Sequence, residues 1–190
     1  MSRRHAAARR LATLAPAGVA MLVAVLTLGA CGSSDPELPP PPCPAALFLN
    51  GAEQTSAYRP GAEPRPEALR YLAVLTDLSS SCRYYDEANG QGVDVDVSFK
   101  VIAERGPALL DSEEVTYFVA TVAPDGRILT RDTLGGDLPF VGDEQLVGLS
   151  EDLTLRLPSV TPAQAGYYRL FIGFQLDEED LKRREQPLLR

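Results

Sequence analysis

The chain has no tryptophan, two methionines and a single histidine, His5. Past residue 5 no imidazole exists to serve as a base or a metal ligand. That excludes Ser-His-Asp and Cys-His mechanisms and removes the commonest nitrogen ligand of zinc. No GxSxG, Walker or dinucleotide-binding glycine motif occurs, and no CxxC pair. Carboxylate pairs cleave glycosides, but acids are abundant here and no pair stands out. Positive charge is also short, with 18 Lys and Arg against 26 Asp and Glu and a formal net charge of −8. No basic patch interleaved with aromatics appears, so nucleic acid is not an expected partner. Neither enzyme activity nor a cofactor or metal is expected.

What is present begins at the first residue. Arg3-Arg4 and Arg9-Arg10 precede an apolar run from Leu11 to Ala30, with no acid before Asp35. A basic head and a short apolar stretch are the layout of a secretory signal. A run of about twenty apolar residues is also long enough for a membrane span, but Pro16, Gly18 and Gly29 interrupt this one. It ends in Leu28-Gly29-Ala30-Cys31, which resembles the lipobox of bacterial lipoproteins. That resemblance implies cleavage before Cys31 and acylation of its thiol. It makes residues 1–30 a lipoprotein signal peptide and the membrane a partner through the lipid. In such lipoproteins an aspartate after the cysteine favours the inner membrane. Gly32 therefore leans toward a periplasm-facing anchor in the outer membrane.

Without the four arginines of residues 1–30, 14 bases face 26 acids, a net charge near −12. Residues 31–44 carry Pro36, Pro39 to Pro42 and Pro44. Proline at that density favours an extended, semi-rigid tether of about 3.1 Å per residue. The same prolines are also the composition of a ligand for a proline-reading module. With Cys31 assigned to lipid, Cys43 and Cys82 remain, and an exported compartment favours their disulfide. A metal or redox pair is the other use of two thiols; neither histidine partners nor CxxC spacing support it.

Residues 45–190 read as one β-rich domain. Val93 to Val101 alternates strictly, with apolar side chains at odd positions, the pattern of a half-buried strand. Asp94 and Asp96 then share its solvent face. Tyr71–Leu78 reads as a second strand, and Glu87–Gly92 as the turn between the two. Val115–Val122 is β-branched and aromatic throughout, a strand buried on both faces. Pro124-Asp125-Gly126-Arg127 makes a hairpin turn into Ile128–Asp132. Leu134–Gly148 is expected to loop. Alternation returns at Leu153–Leu157 and at Tyr168, Leu170, Ile172, Phe174 and Leu176. Short strands without long helical segments between them indicate an all-β antiparallel sandwich. Asp177–Glu185 has the charge order of a short C-terminal helix, acids first and bases last. Its acids are read as helix stabilisers before cation ligands.

Leu153–Leu170 (LTLRLPSVTPAQAGYYRL) resembles the E-to-F segment of immunoglobulin-like domains. Gln164 stands in place of the usual aspartate, Gly166 and Tyr168 match, and Leu170 replaces the cysteine. The resemblance implies an immunoglobulin-like sandwich in which the Tyr168 hydroxyl ties to upstream backbone as a tyrosine corner. More broadly, Cys43-Pro44, Thr76-Asp77-Leu78 with Cys82, Gly92–Asp96, Ala103–Pro107, Tyr117–Ala120, Pro124–Arg127 and Gly173–Leu176 resemble an uncharacterised family of small bacterial lipoproteins. Neither resemblance carries an activity; with catalysis set aside, the expected role is an anchored sandwich that offers strand edges or loops to an envelope protein, as in strand addition. The alternative is a structural or accessory envelope lipoprotein without a defined ligand.

Overall fold

The computed structural model describes residues 40–185 except residues 89 and 111. The expected signal peptide, Cys31 and the expected tether up to residue 39 lie outside the described residues. Eight strands form two four-stranded sheets. β1 (Ala45–Phe48), β8 (Arg169–Phe174), β5 (Glu113–Val122) and β6 (Ile128–Leu138) lie in that order in one sheet, here called the 1-8-5-6 sheet. β2 (Gln54–Tyr58), β3 (Leu69–Glu87), β4 (Gly90–Arg105) and β7 (Leu146–Pro158) form the other, the 2-3-4-7 sheet. Among the described residues, helices are confined to a 3₁₀ turn at Pro66–Ala68, to α1 (Pro162–Ala165) and to α2 (Glu178–Glu185). The fold is an all-β sandwich, as the alternation indicates.

The sheets pack through the period-2 faces of their strands. Val93, Val95, Val97, Phe99 and Val101 of β4 are buried against Val115, Tyr117 and Val119 of β5 and Leu170, Ile172 and Phe174 of β8. Each such side chain contributes about 1.5–3 kcal/mol by leaving water. Phe99 meets the Tyr117 ring edge-on at 5.3 Å.

A bulge in β3 decides where Cys82 points. Thr76 pairs with Lys100, but Ser79 pairs with Ser98, so β3 carries one extra residue, with Asp77 at φ 55°. One inserted residue flips every later side chain to the other face. Tyr71, Ala73 and Leu75 point inward before it, and Cys82 and Tyr84 pack against the core after it. Cys82 thereby meets Cys43 in a disulfide with the Cα atoms 5.8 Å apart. Closing this loop disfavours the unfolded chain by about 4 kcal/mol in the chain-entropy view. The Tyr84 hydroxyl donates to the Pro42 carbonyl at 2.6 Å, and Pro44 is fully buried.

Three expectations need correction. β1 runs parallel to β8, so one pairing in the sandwich is not antiparallel. Leu134–Leu138 continues β6 instead of looping, and the true connection is residues 139–145. Gly135 and Gly136 sit in that strand because the Glu114 and Leu149 side chains occupy the space a Cβ would need. The third concerns the segment Leu153–Leu170. Its β7 part lies in the 2-3-4-7 sheet and its β8 part in the 1-8-5-6 sheet, and Gln164, which stands in place of the aspartate, is the third residue of α1. Its side chain accepts from the Thr161 hydroxyl at 2.9 Å in a capping box.

Candidate functional site

The two sheets present opposite outer surfaces. On the 2-3-4-7 sheet, polar side chains pair across strands. Arg83 meets Asp96 at 3.1 Å, Thr154 donates to Asp96 at 2.7 Å, and Lys100 meets Asp77 at 3.0 Å. Arg156 stacks over Tyr85 at 4.0 Å and reaches Glu87 at 3.3 Å. Exposed pairs of this kind are worth about 0–1 kcal/mol each. Asp94 and Asp96 therefore lie on a solvated face, and no group of three or more His, Cys, Asp or Glu among the described residues gathers to hold a metal.

The outer face of the 1-8-5-6 sheet is apolar. Phe118, Ala120 and Val122 of β5 alternate outward with Phe171 of β8 and Leu47 of β1, as the pairings Ala120↔Phe171 and Leu47↔Phe171 require. Phe118 and Ala120 face away from the core, yet they are only 8% and 4% exposed. Three elements cover them. The loop after β1 folds back, with the Leu49 amide donating to Ile172 and the Phe174 amide donating to Ala52. Gly173 makes this approach possible, because a Cβ there would meet Ala52 Cβ at 2.8 Å and the Phe118 ring at 3.1 Å. From β6, the Arg131 guanidinium lies 4.5 Å above the centre of the Phe118 ring. From the C-terminal side come Leu176 and the α2 residue Leu181. Asp177 caps α2 by accepting from the Asp180 amide at 2.7 Å, and Glu178 pairs with Lys182 at 2.8 Å.

Between these elements a cleft of about 390 Å³ stays open, floored by Phe118, Ala120, Val122 and Phe171 and rimmed by Leu49, Ile128 and Leu181. Its size falls within the range of small-molecule and side-chain pockets. Ile128 stands 63% exposed at its rim. The β6 and β7 edges of the sheets are less suited to recruit a partner. Arg131, Asp132 and Asp137 punctuate β6, and Glu151 and Asp152 punctuate β7, the charge guard typical of edges that avoid pairing.

A second cavity of about 380 Å³ lies near Arg70, Tyr71 and Glu114. Its Arg70 and Tyr71 side chains are already engaged. Glu113, only 3% exposed, takes both arms of the Arg70 guanidinium and accepts from the Leu110 amide at 2.8 Å. The Tyr71 hydroxyl donates to the Glu114 carbonyl at 2.9 Å. Burial, and then the nearby Glu113 carboxylate, push that hydroxyl's pKa up to about 12. Removing one member of a buried ion pair is strongly destabilising, so this knot is read as structural.

Of the residues singled out in the sequence, Cys43 and Cys82 are brought together and Tyr168 is not placed as expected. Tyr168 lies between α1 and β8, half-buried against the core, and its hydroxyl has no hydrogen-bond partner among the described residues. The ties from tyrosine to upstream or distant backbone come instead from Tyr71 and Tyr84. The residues that sequence reading missed are Phe171 and Arg131. The signal for their site was the Val115–Val122 run, apolar on both faces. Comparison with family models, with curated proteins and with solved structures finds no match to this chain.

Proposed function

We propose that this chain is a lipid-anchored bacterial envelope protein whose sandwich is a protein-binding or assembly module facing the periplasm. The observation that carries the binding role is the apolar cleft on the outer face of the 1-8-5-6 sheet. A domain with a strongly acidic chain and a charge-laddered opposite face keeps an open apolar surface there, and such surfaces mark interaction sites. The address rests on Leu28-Gly29-Ala30-Cys31 and on Gly32, which leans toward the outer membrane. A binder rather than a catalyst suits a chain with no histidine after position 5.

Two arms test this reading. In cells fed an alkyne fatty acid, the wild type should take up label and Cys31→Ala should not; equal labelling refutes the anchor. From crosslinked envelopes the wild type should bring down one stoichiometric partner, and Ala120→Phe, which fills the cleft, should lose it. An anchored chain with no stoichiometric partner would favour the accessory role over the binding module.

A further inference from the structure

Arg131 lines the apolar cleft. Its hairpin neighbour Arg127 pairs with Asp125, and Arg169 on the same sheet donates to the Gly166 and Tyr168 carbonyls. Arg131 has no carboxylate partner among the described residues, in a chain where acids outnumber bases. One terminal nitrogen donates to Gln175 Oε1 at 2.6 Å, and the guanidinium plane is held over Phe118. A guanidinium carries five donors, so this contact leaves most of them open beside the cleft. Stacking and the Gln175 bond fix the side chain in advance, so a ligand need not order it. The wall behind it is apolar, and charge pairing there is stronger than in open water. The acidity of the rest of the chain is screened beyond about 8 Å at physiological salt.

We propose that the cleft receives a polypeptide segment that combines large apolar side chains with one carboxylate, the apolar groups filling the floor between Phe118 and Phe171 and the carboxylate meeting Arg131. This deepens the protein-binding reading and rests on it. The carboxylate fixes register and orientation, and the apolar side chains supply the burial. Substituting glutamine at 131 keeps a polar side chain but removes the cation.

The test is selection of a random twelve-residue peptide display library on the full-length chain in lipid nanodiscs, with empty nanodiscs for counter-selection. Enriched peptides should carry two or more large apolar residues close to an Asp or Glu. The best peptide should weaken at least tenfold against Arg131→Gln, and tenfold again for its own acid-to-amide change against the wild type. Combined, the two changes should cost little more than either alone, as expected when they break one contact. Ala120→Phe should abolish binding. Ile128→Glu, at an exposed rim position that cannot unfold the core, should weaken it independently of any folding defect. Apolar peptides without an acid preference, lost in Ile128→Glu but indifferent to Arg131→Gln, would overturn the carboxylate and leave the cleft standing. No enrichment, or peptides indifferent to both cleft variants, would overturn the protein-binding reading itself.

Discussion

The outer face of the 2-3-4-7 sheet and that of the 1-8-5-6 sheet are built from the same period-2 alternation and do opposite things with it. On the first, outward positions of β4 and β7 carry Asp94, Asp96, Ser98, Thr154 and Arg156, which pair with one another and with solvent. On the second, outward positions of β5 and β8 carry Phe118, Ala120, Val122 and Phe171, and the protein spends a loop, a helix end and an arginine to cover part of them. A sandwich needs only one buried face per sheet. The second apolar layer on one sheet is therefore the feature that folding alone does not require.

The sharpest way to break this contrast is to delete side chains on each face. Phe118→Ala should cost about 3–5 kcal/mol in a denaturant titration, as for a core aromatic. Asp96→Ala and Thr154→Ala should each stay within about 0.5 kcal/mol of wild type. Similar losses on both faces would mean that the apolar layer is ordinary surface.

Alkaline titration probes the knot beside the second cavity. The Tyr71 hydroxyl has its pKa raised in the fold, so the native state holds its proton more tightly than the unfolded chain does. Its contribution is complete below about pH 10 and fades as pH rises toward 12. Stability should fall by on the order of 2 kcal/mol across that window. Tyr71→Phe should flatten this slope, at the expense of leaving the Glu114 carbonyl unpartnered.

Glycine substitutions compare the faces more finely. Gly173→Ala drives a Cβ against Ala52 and Phe118 and should cost about 1–3 kcal/mol. Gly148→Ala on β7 meets only Ile102 at 3.4 Å and should be neutral or stabilising by up to about 1 kcal/mol. The smallest expected effect is Tyr168→Phe, within about 0.5 kcal/mol, because its hydroxyl holds no backbone group. A loss above 1 kcal/mol would restore the tyrosine corner.

How much of this was legible in the sequence follows from how local each signal is. The β4 alternation, the Pro124–Arg127 turn and the α2 charge order are local, and the structure has them where the residues indicate. The inward turn of Cys82 was not legible, because it depends on one extra residue at Asp77-Leu78 that only cross-strand pairing exposes. Gly135 and Gly136 read as loop residues because the side chains that need their space, Glu114 and Leu149, come from β5 and β7. Gln164 read as a substitute for an aspartate, while its actual work is to cap a four-residue helix. The double burial of Val115–Val122 was legible, but its second cover was not. That cover arrives from Ala52, Arg131 and Leu181, far apart in sequence, and the cleft exists only where they leave a gap.

The difference between the faces is tested most directly by photo-crosslinking in living cells with a diazirine amino acid placed once per chain. At Phe171 in the cleft floor it should give one discrete adduct with a protein, and at Thr154 on the charge-laddered face it should give none. An adduct at Thr154 with none at Phe171, or silence at both positions, would contradict the assignment of binding to the apolar face.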